Sequence, residues 1–205
     1  QLMVRGLHDE REGGQSRKHL AASSSEPLYS TSVKTNRYEM QWKNGFTLNA
    51  DHNTSIALML HGSWHDADNM FGKTQYDVTQ KNGYAQLMFE TDITEKHNIS
   101  VGASLNHDYY DERFNPLGTL PKAESKVTKE TTPGLYAQYT YKLGDKLTVM
   151  PGVRWDHSNL YGSFFTPRLH IKYSPSKIVT LRTSVGKGYR SPHALAENVT
   201  LLASG

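Results

Sequence analysis

The chain has 205 residues, no cysteine and a formal charge of +3, which rules out a disulfide framework or a thiolate zinc site and gives no electrostatic footprint for nucleic acid. Mean hydropathy is −0.66 and the longest strictly apolar run is Ile56 to Leu60, far short of the ~20 residues of a transmembrane helix. The opening QLMVRGLHDEREGGQ has no apolar core of a signal peptide. A transmembrane β-barrel escapes these exclusions, because it hides its apolar surface in alternation.

Read in chain order, the elements are strands. A first, truncated strand is expected at about 1–9. In the second, Tyr38, Met40, Trp42, Phe46 and Leu48 oppose Arg37, Glu39, Gln41, Lys43 and Thr47. Ile56, Leu58, Leu60 and Trp64 then oppose Ala57, Met59, His61 and His65. Ala85, Leu87 and Phe89 oppose Gln86, Met88, Glu90 and Asp92. Ile99, Val101, Ala103 and Leu105 oppose Ser100, Gly102, Ser104 and Asn106. Leu135, Ala137, Tyr139, Tyr141 and Leu143 share a face, as do Leu147, Val149, Val153 and Trp155. Pro151 lies inside the latter pattern and predicts a bulge or bend, since it removes a ladder donor. Leu169, Ile171 and Tyr173 follow, and a ninth strand is expected at 177–188. Period two repeated this often reads as an antiparallel all-β meander, with no comparable helical period.

The connections are expected to alternate in length. Short turns are placed near Ala50-Asp51, Thr94 to His97, Gly144-Asp145 and Ser174 to Ser176, and longer connections at 10–35, 65–73, 111–130 and 159–163. Short periplasmic turns and long extracellular loops are the plan of an outer-membrane barrel. The polar face carries Arg37, Lys43, Glu90, Asp92, Arg154, Arg168, His170, Lys172 and Arg182. An Arg or Lys facing lipid at mid-membrane costs ~2–4 kcal/mol, so Arg154, Arg168, His170 and Arg182 are expected to face the lumen. Tyr141 and Tyr173 beside short turns, and Trp64 and Trp155 beside long loops, suit interfacial girdles. A soluble antiparallel sandwich would show the same alternation, with the apolar face as its core.

Four stretches invite chemistry. DYYDERFN, residues 108–115, offers Tyr109, Tyr110 and Arg113 to stack on and pair with an anionic ligand; the plainer reading is an interfacial girdle. Asp66 and Asp68 in HDADNMF have the spacing of calcium ligands but lack the rest of a calcium loop. His61 and His65 share a face but lie too far apart to hold one metal ion by themselves. GKGYR is not a phosphate loop, since no GxxxxGK[ST] is present; Arg190 and His193 are candidates to face a ligand. No catalytic residue, metal site or cofactor is assigned.

Residues 166–197, TPRLHIKYSPSKIVTLRTSVGKGYRSPHALAE, tip the balance. The spaced elements Pro167-Arg168-Leu169, Tyr173-Ser174-Pro175, Leu181-Arg182, Gly186-Lys187-Gly188-Tyr189-Arg190-Ser191-Pro192 and Glu197 resemble the barrel of TonB-dependent outer-membrane receptors. YDVTQKNGYAQLMFETDITEKHNISVG and GLYAQYTYKLGDKLTVMPGVRWDHS are similar to the same family. The resemblance implies an up-and-down transmembrane β-barrel of 22 strands, of which residues 1–205 supply about nine. It implies a Gram-negative outer-membrane location among lipid, an N-terminal plug domain and the TonB complex as partners. It also implies energised uptake of a scarce solute such as a siderophore–iron complex or cobalamin. Signal peptide, plug and terminal strands are not recognisable here, so the chain is expected to be an internal barrel fragment, and not an enzyme. The alternatives are a small passive or structural outer-membrane barrel and a soluble ligand-binding β-protein.

Overall fold

The computed structural model describes residues 1–15, 28–116 and 124–192. It contains nine strands: β1 (Leu2–Gly14), β2 (Ser30–Asn49), β3 (Thr54–Phe71), β4 (Thr74–Thr94), β5 (His97–Asn115), β6 (Glu124–Leu143), β7 (Leu147–Ser158), β8 (Gly162–Tyr173) and β9 (Leu181–Gly186). They form one sheet in the order β1 to β9, and each pairs antiparallel with its neighbour in sequence. β1 and β9 do not pair with each other, so the sheet is open among the described residues.

Connection length does not alternate as expected. β3 and β4 stay in register until Phe71 meets Thr74, so residues 65–73 are strand closed by a two-residue turn rather than a long connection. Gly72 occupies the left-handed region there, with φ 60°, and a Cβ would lie 2.9 Å from the Tyr29 ring. The connections at 10–35 and 111–130 shrink for the same reason, because strands extend into both. The turn expected to end at Ser176 runs on, and the ninth strand is Leu181–Gly186 rather than 177–188. Pro151 makes no bulge. Gln138–Gly152 and Tyr141–Val149 frame a gap in the β6–β7 ladder, and the register is the same on both sides. A missing N–H interrupts the ladder without adding a residue.

The outward apolar face is bare. Met40, Phe46, Leu48, Leu87, Leu135 and Val153 are all exposed, and no second layer covers them among the described residues. A soluble sandwich would bury this face against another sheet. Here the buried hydrophobic residues are Ala67, Phe71, Tyr76 and Val78, all at one end of the hairpin β3–β4. Exterior apolar residues over a polar inner wall are the membrane arrangement. Tyr38 and Trp64, opposite each other in β2 and β3, stack outward at 5.6 Å.

Along β3 to β5 the polarity of the two faces reverses. Outward positions run Leu58, Leu60, Trp64 and then Asp66, Asp68; on β4 they run Phe89, Leu87, Ala85 and then Lys81, Asp77. Inward positions run from His61 and His65 to Ala67 and Phe71, and from Glu90 and Gln86 to Val78 and Tyr76. A tilted strand crosses a bilayer in ~9–11 residues, and β3 and β4 have 18 and 21. The surplus is a β-extension beyond the membrane, packed on its inner side.

Candidate functional site

The inner wall is built by inward positions of β4 to β8. Period two turns Tyr84, Gln86, Gln138, Arg154 and Arg168 to one side, where they line a cavity of about 810 Å³. Above it lies a second cavity of about 590 Å³ that shares Tyr84 and Arg154 and adds Tyr110, Glu130, Asp156 and Arg190.

Arg154 is the hinge between the two. Its Nε donates to Asp156 Oδ2 at 2.7 Å, and one terminal nitrogen donates to Asp156 Oδ1 at 2.7 Å and to Ser104 Oγ at 2.7 Å. Asp156 has no exposed surface, so its charge is sustained by this fork. Gly134 makes room for it, since a Cβ there would collide with the Asp156 carboxylate. Glu130, also buried, is held differently. Ser158 Oγ donates to it at 2.6 Å, Ser191 Oγ at 3.0 Å and Thr132 Oγ1 at 3.4 Å.

Ser191 belongs to the segment after β9, which leaves the wall and folds inward. Lys187 still bonds the Pro167 carbonyl. Beyond it the Tyr189 ring stacks on Phe164 at 4.0 Å, nearly parallel, and Tyr189 joins Asp156 in the lining of the upper cavity. Burial first, then the nearby Asp156 carboxylate, push its phenol above the ordinary range, so Tyr189 stays protonated. Tyr189, Ser191 and Arg190 thus cover the upper cavity.

The structure separates the candidates of the 108–115 stretch. Tyr110 faces the upper cavity. Tyr109 faces outward between Lys81 and Lys129, and Arg113 is outward too, 3.9 Å from Asp111. Neighbours on a strand point to opposite faces, so the three do not converge. Arg154 and Arg168 lie on the inner wall, Arg168 bonding Gln138 at 3.2 Å. His170 and Arg182 line a third cavity of about 400 Å³ between β7, β8 and β9. Arg190 lines the upper cavity, whereas His193 lies outside the described residues. Asp66 and Asp68 both point outward, and no group of three metal-ligating side chains occurs among the described residues. Glu130 and Tyr84 were not singled out from sequence. Arg154 and Asp156 carried a readable signal, being opposite charges two apart and therefore on one face.

Residues 9–201 match the family described as TonB dependent receptor-like, beta-barrel, and the chain belongs to that family, whose members lie in the Gram-negative outer membrane. It is 26% identical over 76 residues to the ferric enterobactin receptor of Pseudomonas aeruginosa, covering 37% of this chain and 10% of that receptor. It is 28% identical over 81 residues to the ferrienterobactin receptor of Escherichia coli K12, covering 40% and 11%. Its fold is similar to that of the alcaligin outer-membrane receptor FauA of Bordetella pertussis, with a TM-score of 0.59 at 12% identity, covering 86% of this chain and 30% of that one. The siderophore receptor PirA of Pseudomonas aeruginosa gives a TM-score of 0.57 at 10% identity, with 93% and 34% covered. The chain therefore spans about a third of the length of these solved relatives.

Proposed function

We propose that this sheet is part of the wall of a 22-stranded receptor barrel, and that the complete receptor takes up a ferric siderophore with energy relayed by a TonB complex. The family match over 9–201 carries the reading. The edges of β1 and β9, which have no further strand beside them among the described residues, support it, because exposed strand edges are not tolerated in hydrocarbon and further strands would cover both. In this reading a plug domain occupies the space facing the polar wall. Tyr110, Arg154 and Arg190 face the solute, with phenol and guanidinium groups suited to an anionic, ring-bearing chelate.

The test uses the complete receptor in an outer membrane lacking other iron receptors, with ferric enterobactin as first probe because both curated relatives carry that ligand in their names. The expected outcome is accumulation of labelled iron that stops when the TonB complex is deleted. Uptake that persists without the complex would make this a passive barrel. Uptake of cobalamin or an oligosaccharide, but of no ferric chelate, would overturn the iron assignment while leaving the receptor reading intact.

A further inference from the structure

The outward face of β4, β5 and β6 carries a row that uptake does not use. Lys81 is paired with Tyr109, and Tyr109 with Lys129. The Lys81 ammonium lies 5.6 Å from the centre of the Tyr109 ring and that of Lys129 lies 5.8 Å from it. On the other side of Lys81 the same row continues into Trp64 and Tyr38, the stacked aromatic pair.

Its height follows from strand length. The runs from Lys81 to Thr94, from Tyr109 to His97 and from Lys129 to Leu143 each exceed the ~9–11 residues needed to cross the bilayer. Those from Trp64 to Thr54 and from Trp155 to Leu147 match that length. The two tryptophans therefore mark the edge of the hydrocarbon, and because the strands are tilted the row that leaves Trp64 across the sheet climbs away from the membrane, so that Lys81 and Lys129 stand beyond that edge. Below them, Leu87, Leu105 and Leu135 are exposed on the same three strands, continuous with the lipid-facing band.

We propose that Lys81 and Lys129, held on either side of Tyr109, seat the phosphorylated headgroup of a membrane lipid whose acyl chains lie on the apolar band below. Lysine ammonium groups bind phosphate as point charges, and juxtamembrane Lys residues each contribute to attraction for anionic lipid. The aromatic face attracts both cations and limits their freedom. The nearest acidic side chains of this face, Asp66 and Asp111, lie one register further from the membrane and are engaged: Asp66 accepts from Thr79 Oγ1 at 2.6 Å and Asp111 from Ser125 Oγ at 3.0 Å, while Asp68 and Asp77 lie a further step out. The sign of charge next to the lipid is positive. The inference rests on the outward face meeting lipid, not on the identity of the transported solute.

The experiment uses the complete receptor in phosphatidylcholine nanodiscs doped with a bis-phosphorylated glucosamine lipid or with the same lipid after removal of its phosphates. Retained glycolipid per receptor is read by mass spectrometry. The intact receptor should prefer the phosphorylated form, and the preference should fall with salt. Each substitution, Lys81→Gln or Lys129→Gln, should weaken it about 5-fold, and the pair about 30-fold. The conservative pair Lys81→Arg with Lys129→Arg should keep it, with ferric-chelate binding unchanged throughout. Equal retention of both lipids by the intact receptor would reduce the row to lysines that merely reach for water, and overturn the proposal. So would a preference that survives the double Gln substitution. If the Gln pair fails to assemble, a salt-independent preference in the intact receptor would overturn it as well. Competition by millimolar inorganic phosphate alone, without dependence on the acyl chains, would also overturn it, since the seat would then be a free-anion site.

Discussion

The membrane-crossing wall and the β-extension above it are built from the same strands with opposite rules. In the wall of β4 to β8 the inner face is ionic and hydrogen-bonded, with Arg154, Asp156 and Ser104 in contact, while the outer face is bare hydrocarbon. In the extension of β3 to β5 the inner face holds the small core of Ala67, Tyr76 and Val78, joined by Tyr110 and Phe114, and the outer face is charged. Nothing in the backbone marks the change, since β3 and β4 stay paired throughout. The solvent changes instead. Where lipid lies outside, apolar side chains turn out and polar ones need internal partners; where water lies outside, the ordinary order returns.

The comparison can be broken hardest in the wall. Arg154→Met leaves the fully buried Asp156 without its guanidinium, and should lower the unfolding free energy of the complete receptor by about 3–5 kcal/mol. Replacing both residues, Arg154→Met with Asp156→Leu, should cost much less, because no uncompensated charge remains. Denaturant titration of the refolded receptor in lipid reads both. A single variant as stable as the double would mean that Tyr189 and water support the carboxylate unaided.

A second substitution pair sharpens the boundary. Leu87 faces lipid in the wall and Thr79 faces outward in the extension, on the same strand β4. Leu87→Arg should cost about 2–4 kcal/mol of folding into lipid vesicles. Thr79→Arg, set between Asp66 and Asp111 in the register, should stay within about 0.5 kcal/mol. Similar costs at both sites would move the membrane edge beyond Thr79 and with it the height assigned to Lys81 and Lys129.

The wall was legible in sequence because period two holds phase there; the family resemblance around Gly186 to Pro192 then identified its setting. The extension was not. The stretch 65–73 reads as a loop because the phase flips at Asp66, and a strand whose outward residues turn from Trp64 to Asp66 mimics the end of a strand. The same flip explains the 108–115 stretch: its mixture of aromatics and charges is two faces of β5 in alternation, Tyr110 inward and Tyr109 outward. Arg154 and Arg168 could be placed on the polar face by parity alone. Their partners could not all be, since Glu130 meets Ser191 across 61 positions of sequence, and that contact depends on the chain leaving the wall after Lys187.

The smallest effect lies at the tip of the extension, where Asp68 stands directly opposite Asp77 across β3 and β4. Like charges so placed repel. Burial, and then the charges of Asp77 and Asp66, raise the Asp68 carboxyl above its ordinary range, against the opposing pull of Arg113 and Lys34. A carboxyl raised in the folded state holds its proton more tightly folded than unfolded. Its contribution to stability is therefore favourable below the ordinary carboxylate pKa and is lost as pH rises through the folded value. At neutral pH the ionised group is a liability that Asp68→Asn removes at constant size. Hydrogen exchange at the β3–β4 tip of the complete receptor should slow by an amount equivalent to a few tenths of a kcal/mol, up to about 1. The gain should vanish once both Asp68 and its unfolded counterpart are protonated. Faster exchange at neutral pH would show that Lys34 and Arg113 outweigh Asp77. The outer face of the extension would then be a matched charge ladder, and its acids would help to hold the tip together.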